Sequence, residues 1–167
     1  KHLELTEKAI EDYDRAIKIN PRYKKAFLWK GILFTKLKKY NVAFRNFDEA
    51  IKIDPNYEDA LASRGDLKDD LGKFEDALKD YEQLLLLNKK NYSHFFNRAY
   101  IKSELGRNED AIKDFDQSIK LNDKNPFAFY NRAFNKSELK RDEDAIKDLN
   151  QAIKLNPKYV NAFLNRA

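Results

Sequence analysis

Three stretches of this sequence are nearly copies of one another: AIKINPRY at residues 16–23, AIKIDPNY at 50–57 and AIKLNPKY at 152–159. Two weaker copies, LLLLNKKN at 84–91 and SIKLNDKN at 118–125, lie between them. The five copies are evenly spaced along the chain, with no insertion or deletion between them. Because a fixed period in this range indicates a repeat architecture, the structure has to be explained first at the level of one repeat.

The same period continues through the residues between these copies. Alanine recurs at Ala9 and at the equivalent position of every later copy, and Leu3 starts a matching column of leucine. We therefore divide the chain into four full repeats with a partial repeat at each end, and we expect them to form a single array. The full repeats span residues 24–57, 58–91, 92–125 and 126–159, and the partial repeats span 1–23 and 160–167.

Each repeat has the spacing of two helices. In repeat 92–125, apolar residues recur every three or four positions in two runs that are separated by a break at Gly106. Gly72 and Gly106 each follow a leucine, which predicts the left-handed residue that ends a helix. Asn108 and Asp142 are predicted to cap the helices that follow. Since one helical hairpin cannot cover its own apolar face, the hairpins are expected to stack into an all-α solenoid.

This pattern resembles the tetratricopeptide repeat family, whose 34-residue repeat reads W-x2-L-G-x2-Y…A-x3-F…P. The resemblance extends over essentially all 167 residues. It implies a right-handed superhelix of antiparallel helical hairpins, with a concave groove built mainly from the first helix of each repeat. Two columns depart from the family pattern. The leucine column is basic (Lys30, Arg64, Arg98, Arg132 and Arg166), and the tyrosine column reads Phe34, Lys68, Lys102 and Lys136.

The basic column has an acidic counterpart in the second helix. In three repeats an arginine is followed at a constant separation by an aspartate: Arg64 by Asp80, Arg98 by Asp114, and Arg132 by Asp148. Repeat 24–57 has Lys30 and Asn46 at these positions, so both members change together. We predict a bidentate ion pair within each repeat that joins its two helices. A competing interpretation pairs each base with an acid of the preceding repeat, for example Lys30 with Asp12.

The resemblance also implies which columns face the groove, namely residues 25, 28, 29, 32 and 36 and their equivalents in later repeats. These positions follow the spacing of one helix face. Their character changes along the chain from basic to acidic to aromatic. The candidate binding residues are Lys25, Trp29, Lys36, Asp59, Asp66, Asp70, Phe96, Asn97, Tyr100, Phe127, Tyr130, Asn131, Phe134 and Asn165.

Three subsets of these residues have alternative interpretations. Asn97, Asn131 and Asn165 can form a ladder that holds a peptide backbone, as in the asparagine ladder known from this family, or they can be polar residues on a wet face. The aromatic residues at positions 96, 100, 130 and 134 can face the groove, which we favour, or the core. The three aspartates can bind a basic segment or form a solvated face, and a metal site is less favoured because metal ligands converge from several elements.

The composition argues against most classes of enzyme. The chain has no cysteine, and therefore no thiolate nucleophile, disulfide or cysteine zinc site. It has only two histidines, and its four glycines lie too far apart to form a phosphate-binding loop. We therefore expect no catalytic residues, no bound metal and no cofactor. The absence of cysteine also fits a reducing compartment, so we expect a cytoplasmic location.

Three kinds of partner are not expected. Family members that bind chaperone tails clamp the terminal carboxylate with a lysine and an asparagine four residues apart, and no repeat here has that opening pair: the two columns hold Leu28, Ala62, Phe96 and Tyr130, and Ile32, Asp66, Tyr100 and Phe134. Ten basic residues and no acid lie from Arg15 to Arg45, but no nucleic-acid motif accompanies them and aspartates follow directly. The longest aliphatic run, Leu84–Leu87, is far too short for a membrane span.

Together these features predict a non-catalytic scaffold that binds a partner peptide in the concave groove. One alternative is a structural subunit of a large assembly, held through its convex faces or the ends of the array. Another is the substrate-selecting arm of a larger enzyme. The sequence starts and stops inside a repeat and shows no polar capping helix, so we expect a piece of a longer protein.

Overall fold

The computed structural model describes residues 2–167, and over this range the chain forms ten α-helices and no strand. Lys1 and the side chains of residues 2–4, among them Leu3 of the leucine column, lie outside the described part. None of the helices in the described range combines the length and the apolar character needed to cross a membrane. The helices are α1 (His2–Ile19), α2 (Lys24–Lys36), α3 (Tyr40–Ile53), α4 (Glu58–Asp70), α5 (Phe74–Leu87), α6 (Tyr92–Glu104), α7 (Asn108–Leu121), α8 (Pro126–Glu138), α9 (Asp142–Leu155) and α10 (Val160–Arg166).

The helices keep the period of the sequence. The first helices α2, α4, α6, α8 and α10 begin at residues 24, 58, 92, 126 and 160, with the same constant spacing as the sequence repeats. The second helices α3, α5, α7 and α9 begin at residues 40, 74, 108 and 142. Each first helix from α2 to α8 packs on the second helix that follows it. The prediction of an all-α helical-repeat solenoid is therefore confirmed.

The chain divides into two compact units, an N-terminal unit Lys1–Leu87 and a C-terminal unit Asn88–Ala167. The N-terminal unit contains α1 to α5, and the C-terminal unit contains α6 to α10. In the N-terminal unit, the core of α2 and α3 is completed by Leu67 of α4, which is 2% exposed. In the C-terminal unit, the core formed by α8 and α9 contains Phe129 and Leu149. In each unit, the two helices of a hairpin are therefore held together by core residues at positions that recur from repeat to repeat.

Small residues at one column let the two helices of a hairpin approach closely. A Cβ atom added at Gly31 would lie 2.5 Å from Cε1 of Phe47, a buried ring on the facing helix. At Gly65 the nearest atom, Cζ of Tyr81, would be 3.3 Å away, which is a tight contact that small shifts can relieve. The column reads alanine in later repeats, so only repeat 24–57 requires glycine for steric reasons.

The first helices end in one repeated backbone arrangement. In α4, the N–H of Gly72 donates to the carbonyl of Asp69 and the N–H of Lys73 donates to the carbonyl of Lys68, both at 2.8 Å. This pair of hydrogen bonds defines the Schellman motif. The same pair ends α2, α6 and α8, and the residue with positive φ at the four ends is Lys38, Gly72, Gly106 or Lys140. The two glycines are the predicted helix ends, and the two lysines were not predicted.

The predicted capping residues of the second helices are not N-caps. Asn108 and Asp142 are the first helical residues of α7 and α9, and the N-cap residues Arg107 and Arg141 make no capping hydrogen bond through their side chains. Arg107 and Arg141 are the last residues of the Schellman motifs that end α6 and α8. The second helices begin directly after these motifs, one residue earlier than the prediction assumed. Side-chain caps occur instead at Asn91 of α6, and at Asn125 of α8, which precedes the first-turn proline Pro126.

The predicted ion pairs within the repeats are confirmed. In repeat 58–91, Arg64 donates from Nε and Nη2 to the two carboxylate oxygens of Asp80, at 3.1 and 2.6 Å. The carboxylate is almost fully buried, and Lys68 also donates to it, at 2.8 Å. Equivalent triads join α6 to α7 and α8 to α9, with Arg98, Lys102 and Asp114 in one repeat and Arg132, Lys136 and Asp148 in the next.

The competing pairing with the preceding repeat is also present, but through a different acid. Lys30 pairs with Asp14 and not with Asp12, which lies 3.7 Å from Arg15. In later repeats the equivalent position holds Asp48, which accepts from Arg64 at 2.6 Å, and Asp116, which accepts from Arg132 at 2.7 Å. Arg64 and Arg132 therefore each join their own hairpin and also tie it to the hairpin before, within one unit.

Repeat 24–57 lacks this triad altogether. Lys30, Phe34 and Asn46 stand where the later repeats have arginine, lysine and aspartate. Asn46 is buried and donates instead to the carbonyl of Val42, one turn earlier in its own helix, at 2.7 Å. All three members of the triad therefore change together, because a buried carboxylate without its two cations would be costly.

Candidate peptide-binding surface

The groove-facing columns of the sequence analysis lie on the first helices, and each candidate side chain is at least partly exposed. Positions between these columns are buried, for example Ala128 at 0% exposure. Leu28 was assigned to a groove-facing column, and for repeat 24–57 that assignment is wrong, because Leu28 is 3% exposed and packs in the core of α2 and α3. In contrast, Trp29 and Phe127 are each 52% exposed, although large aromatic side chains are normally covered. One face of the first helices thus packs into the core and the other presents the candidate residues.

In the N-terminal unit, the candidate residues of α2 are a tryptophan between two lysines. Lys25, Trp29 and Lys36 are all exposed and follow one stripe of the helix. The other two lysines of α2 have intramolecular partners. Lys24 pairs with Asp54 and lies 4.5 Å from the ring centre of Tyr57, and Lys30 pairs with Asp14.

The candidate residues of α4 are acidic. Asp59, Asp66 and Asp70 are exposed, and Asp66 accepts a hydrogen bond of 2.5 Å from the hydroxyl of buried Tyr81. This contact fixes the Asp66 carboxylate against the second helix of its own repeat. Within the described residues, no group of three or more histidine, aspartate or glutamate side chains could hold a metal ion.

In the C-terminal unit, the candidate aromatic residues of α8 form a cluster with Tyr159. The ring centre of Tyr159 lies 5.3 Å from that of Phe127 and 4.9 Å from that of Tyr130. Burial, with the nearby Tyr130 as a second cause, raises the pKa of Tyr159 to about 12. The hydroxyl of Tyr159 therefore stays neutral over the physiological range. Tyr159 was not among the predicted site residues, although its column also holds Tyr23 and Tyr57 next to the first helices.

The aromatic candidates differ in how much they contribute to the core. Phe96 is half-buried and packs edge-on against buried Phe115, with ring centres 5.7 Å apart. Tyr100 and Tyr130 are also half-buried. Phe134 is 46% exposed and lines a cavity of about 440 Å³ bounded by α8, α9 and α10. Three of the four residues are therefore shared between core and surface, and Phe134 is exposed. That these residues contact a partner stays a prediction.

The asparagine column is accessible but already hydrogen-bonded within the chain. Nδ2 of Asn131 donates to the carbonyl of Phe127 at 2.8 Å, and Nδ2 of Asn165 donates to the hydroxyl of Tyr130 at 3.0 Å. Asn97 is half-buried and also has a partner within the chain. An amide has two N–H groups and one carbonyl, so Asn131 and Asn165 retain capacity for a ligand backbone.

Comparison with known proteins identifies the repeat. A profile described as Tetratricopeptide repeat matches residues 3–58 and 63–128, and a second profile with the same description matches 128–159. No curated protein sequence matches the chain.

Solved structures share the fold at low sequence identity. YrrB, described as a TPR protein with an unusual peptide-binding site, is 20% identical with a TM-score of 0.85, over 98% of this chain and 84% of that protein. MamA from Desulfovibrio magneticus RS-1 is 15% identical with a TM-score of 0.84, over 92% of this chain and 87% of that one. A tetratricopeptide repeat protein from Parabacteroides merdae ATCC 43184 is 21% identical with a TM-score of 0.84, over 94% and 62%.

Proposed function

This chain belongs to the tetratricopeptide repeat family, and from that premise we propose that it is a non-catalytic, cytoplasmic interaction module that binds partner segments on the groove-facing columns of its first helices. Proteins of this family bind other proteins in general. The observation that carries the finer proposal is the exposure of Trp29, Phe127 and Phe134 on those columns. Exposed aromatic side chains are costly to keep in water and are enriched among the residues that dominate binding energy.

Two further observations support a peptide as the ligand. YrrB, which has the same fold, is described as having a peptide-binding site. On α8, the exposed rings of Phe127 and Phe134 lie on the same stripe as Asn131, whose amide can bond a peptide backbone. Apolar side chains of a partner would contact the rings, and its main chain would contact the amide.

The proposal is tested by affinity capture from the native lysate with matched baits. The wild-type chain is compared with a variant that carries Phe127→Ala, Asn131→Ala and Phe134→Ala, after circular dichroism shows equal helicity. We expect partners captured by the wild type to be lost from this variant. If the variant retains the same partners, recognition does not use this surface of α8.

One observation favours the alternative of an assembly subunit held through its second helices. Leu86 of α5 is 76% exposed, and the other repeats have lysine at its column: Lys18, Lys52, Lys120 and Lys154. A single exposed leucine is common on protein surfaces, so this is the weaker candidate. The variant Leu86→Lys restores the repeat consensus and serves as the second bait. Loss of partners from this variant alone would favour the assembly function.

A further inference from the structure

The groove-facing stripe of α2 has a feature that the other first helices lack. Trp29 is 52% exposed, and exposed lysines lie four residues before it and seven residues after it. Among the described residues, no carboxylate forms an ion pair with Lys25 or Lys36. By helix geometry the two lysines are separated by about 16 Å along α2, with the tryptophan between them.

Lys25 and Lys36 are the lysines of α2 that have no ion-pair partner among the described residues. Lys24 and Lys30 have aspartate partners within the N-terminal unit, at Asp54 and Asp14. Along the chain, no acidic residue occurs from Arg15 to Arg45, so α2 itself and its flanking segments carry only positive charge. The stripe on α2 therefore combines an exposed indole with two cations, and the nearest exposed carboxylates at equivalent columns are those of α4.

We propose that this stripe binds an acidic segment of a partner protein, with an apolar side chain of the segment against Trp29 and carboxylates paired with Lys25 and Lys36. This inference deepens the proposed function and rests on it. Contact with the indole supplies most of the affinity, since exposed ion pairs are individually weak. The lysines attract acidic partners and disfavour basic ones.

The neighbouring helix favours a short acidic peptide over nucleic acid. Helix α4 contacts α2 and exposes Asp59 and Asp70 at the columns equivalent to Lys25 and Lys36. A phosphate backbone, which carries a charge at every nucleotide, would meet these carboxylates as it crossed from α2 to α4. A short acidic peptide carries its charges only on its acidic side chains. It can therefore place all of its carboxylates over α2.

Trp29 is the single tryptophan of the chain, so its fluorescence reports directly on this stripe. Four probes are titrated: a blocked peptide of sequence Asp-Glu-Phe-Glu-Asp, its amide analogue Asn-Gln-Phe-Gln-Asn, its basic analogue Lys-Lys-Phe-Lys-Lys, and a short oligothymidylate. We expect a saturable change in tryptophan emission with the acidic peptide, weakened by added salt. The amide and basic analogues are expected to bind at least tenfold more weakly.

A charge-matched pair of variants separates the local effect from the effect of net charge. The variant Lys25→Glu/Lys36→Glu is expected to weaken binding of the acidic peptide at least tenfold. The control Lys120→Glu/Lys154→Glu changes two exposed lysines of α7 and α9 and is expected to stay within about twofold of the wild type. Equal weakening by both variants would overturn the proposal, because net charge would then explain the binding.

Three other results would overturn it. No change in emission with the acidic peptide, equal binding of the amide analogue, or tighter binding of oligothymidylate each contradicts an acidic peptide as the ligand. None of these results affects the capture experiment with the α8 variant, which tests the proposed function in the other unit. Loss of captured partners together with a silent tryptophan would leave the proposed function standing and remove this inference.

Discussion

Asn135 is a polar residue at an apolar position of the repeat. Its column holds Leu33, Leu67 and Ile101 in the other repeats, and Asn135 itself is 0% exposed. Its Nδ2 donates to the carbonyl of Asn131 at 2.8 Å, but its Oδ1 is buried without a hydrogen-bond partner. A buried acceptor of this kind costs about 1–3 kcal/mol.

We predict that Asn135→Leu raises the free energy of unfolding by about 1–2 kcal/mol, because it removes the unpaired carbonyl and adds apolar burial. Urea unfolding followed by circular dichroism measures the change. The control is Asn131→Leu on the same helix. Asn131 is half-buried, and its replacement does not remove a buried, unpaired acceptor. A loss of stability in Asn135→Leu would mean that its amide is satisfied or that the site has no room for leucine.

At the scale of the element, the ends of the first helices share one backbone and differ in sequence. Lys140 has a φ of 60° and Gly106 a φ of 70°, in the same hydrogen-bonded arrangement. This conformation costs a residue with a Cβ about 1 kcal/mol, and glycine adopts it without that cost. We predict that Lys140→Gly stabilises the chain by up to about 1 kcal/mol and that Gly106→Lys destabilises it by a similar amount. Thermal unfolding of the two variants checks this, and shifts of the same sign would contradict it.

The triads that join first and second helices give a sharper prediction. Burial alone would lower the pKa of the Arg132 guanidinium, but its hydrogen bonds to Asp148 and Asp116 raise that pKa above its ordinary value. The arginine is therefore charged throughout the physiological pH range. Its two partners differ in environment, because the Asp148 side chain is 7% exposed and that of Asp116 is 49% exposed.

We predict that Asp148→Asn lowers the free energy of unfolding by about 3 kcal/mol, because it leaves Arg132 and Lys136 without their buried counter-ion. Asp116→Asn, which removes an exposed partner of the same arginine, is expected to cost much less. Chemical unfolding of the two variants provides the comparison. Similar losses in both would show that burial does not set the strength of these ion pairs.

Features of the helices could be predicted from the sequence wherever one position of the repeat holds the same kind of residue in successive repeats. The constant period predicted the spacing of the helices, although the predicted caps placed the starts of α7 and α9 one residue too late. The joint change at Lys30 and Asn46 predicted the ion pair within the repeat. The lysine of the triad was missed, although Lys68 lies one helical turn after Arg64 and changes with it. Lys140 was not predicted to end a helix, because the left-handed conformation was predicted only for glycines. Lys140 lies in the same column as Gly72 and Gly106.

At the scale of the whole molecule, the repeat period of the sequence does not distinguish residues of a binding surface from residues at the edge of the core. Phe96 and Phe134 belong to candidate columns of the same helix stripe, yet one packs against Phe115 and the other is 46% exposed. Tyr159 lies in the loop before α10 and contacts Tyr130 of α8. The spacing of residues within one helix could not predict this contact. The surface therefore depends on how neighbouring hairpins pack, which spacing alone does not give.

Partners are proposed to contact the first helices, and photo-cross-linking tests this most directly. A photoreactive phenylalanine is placed at Phe134 of α8 in one protein and at Leu86 of α5 in another, since both positions are exposed. Each protein is irradiated with the partner recovered by affinity capture. We predict that the partner cross-links at position 134 and not at position 86. Cross-linking at position 86 alone would contradict the account and move the interaction to the second helices.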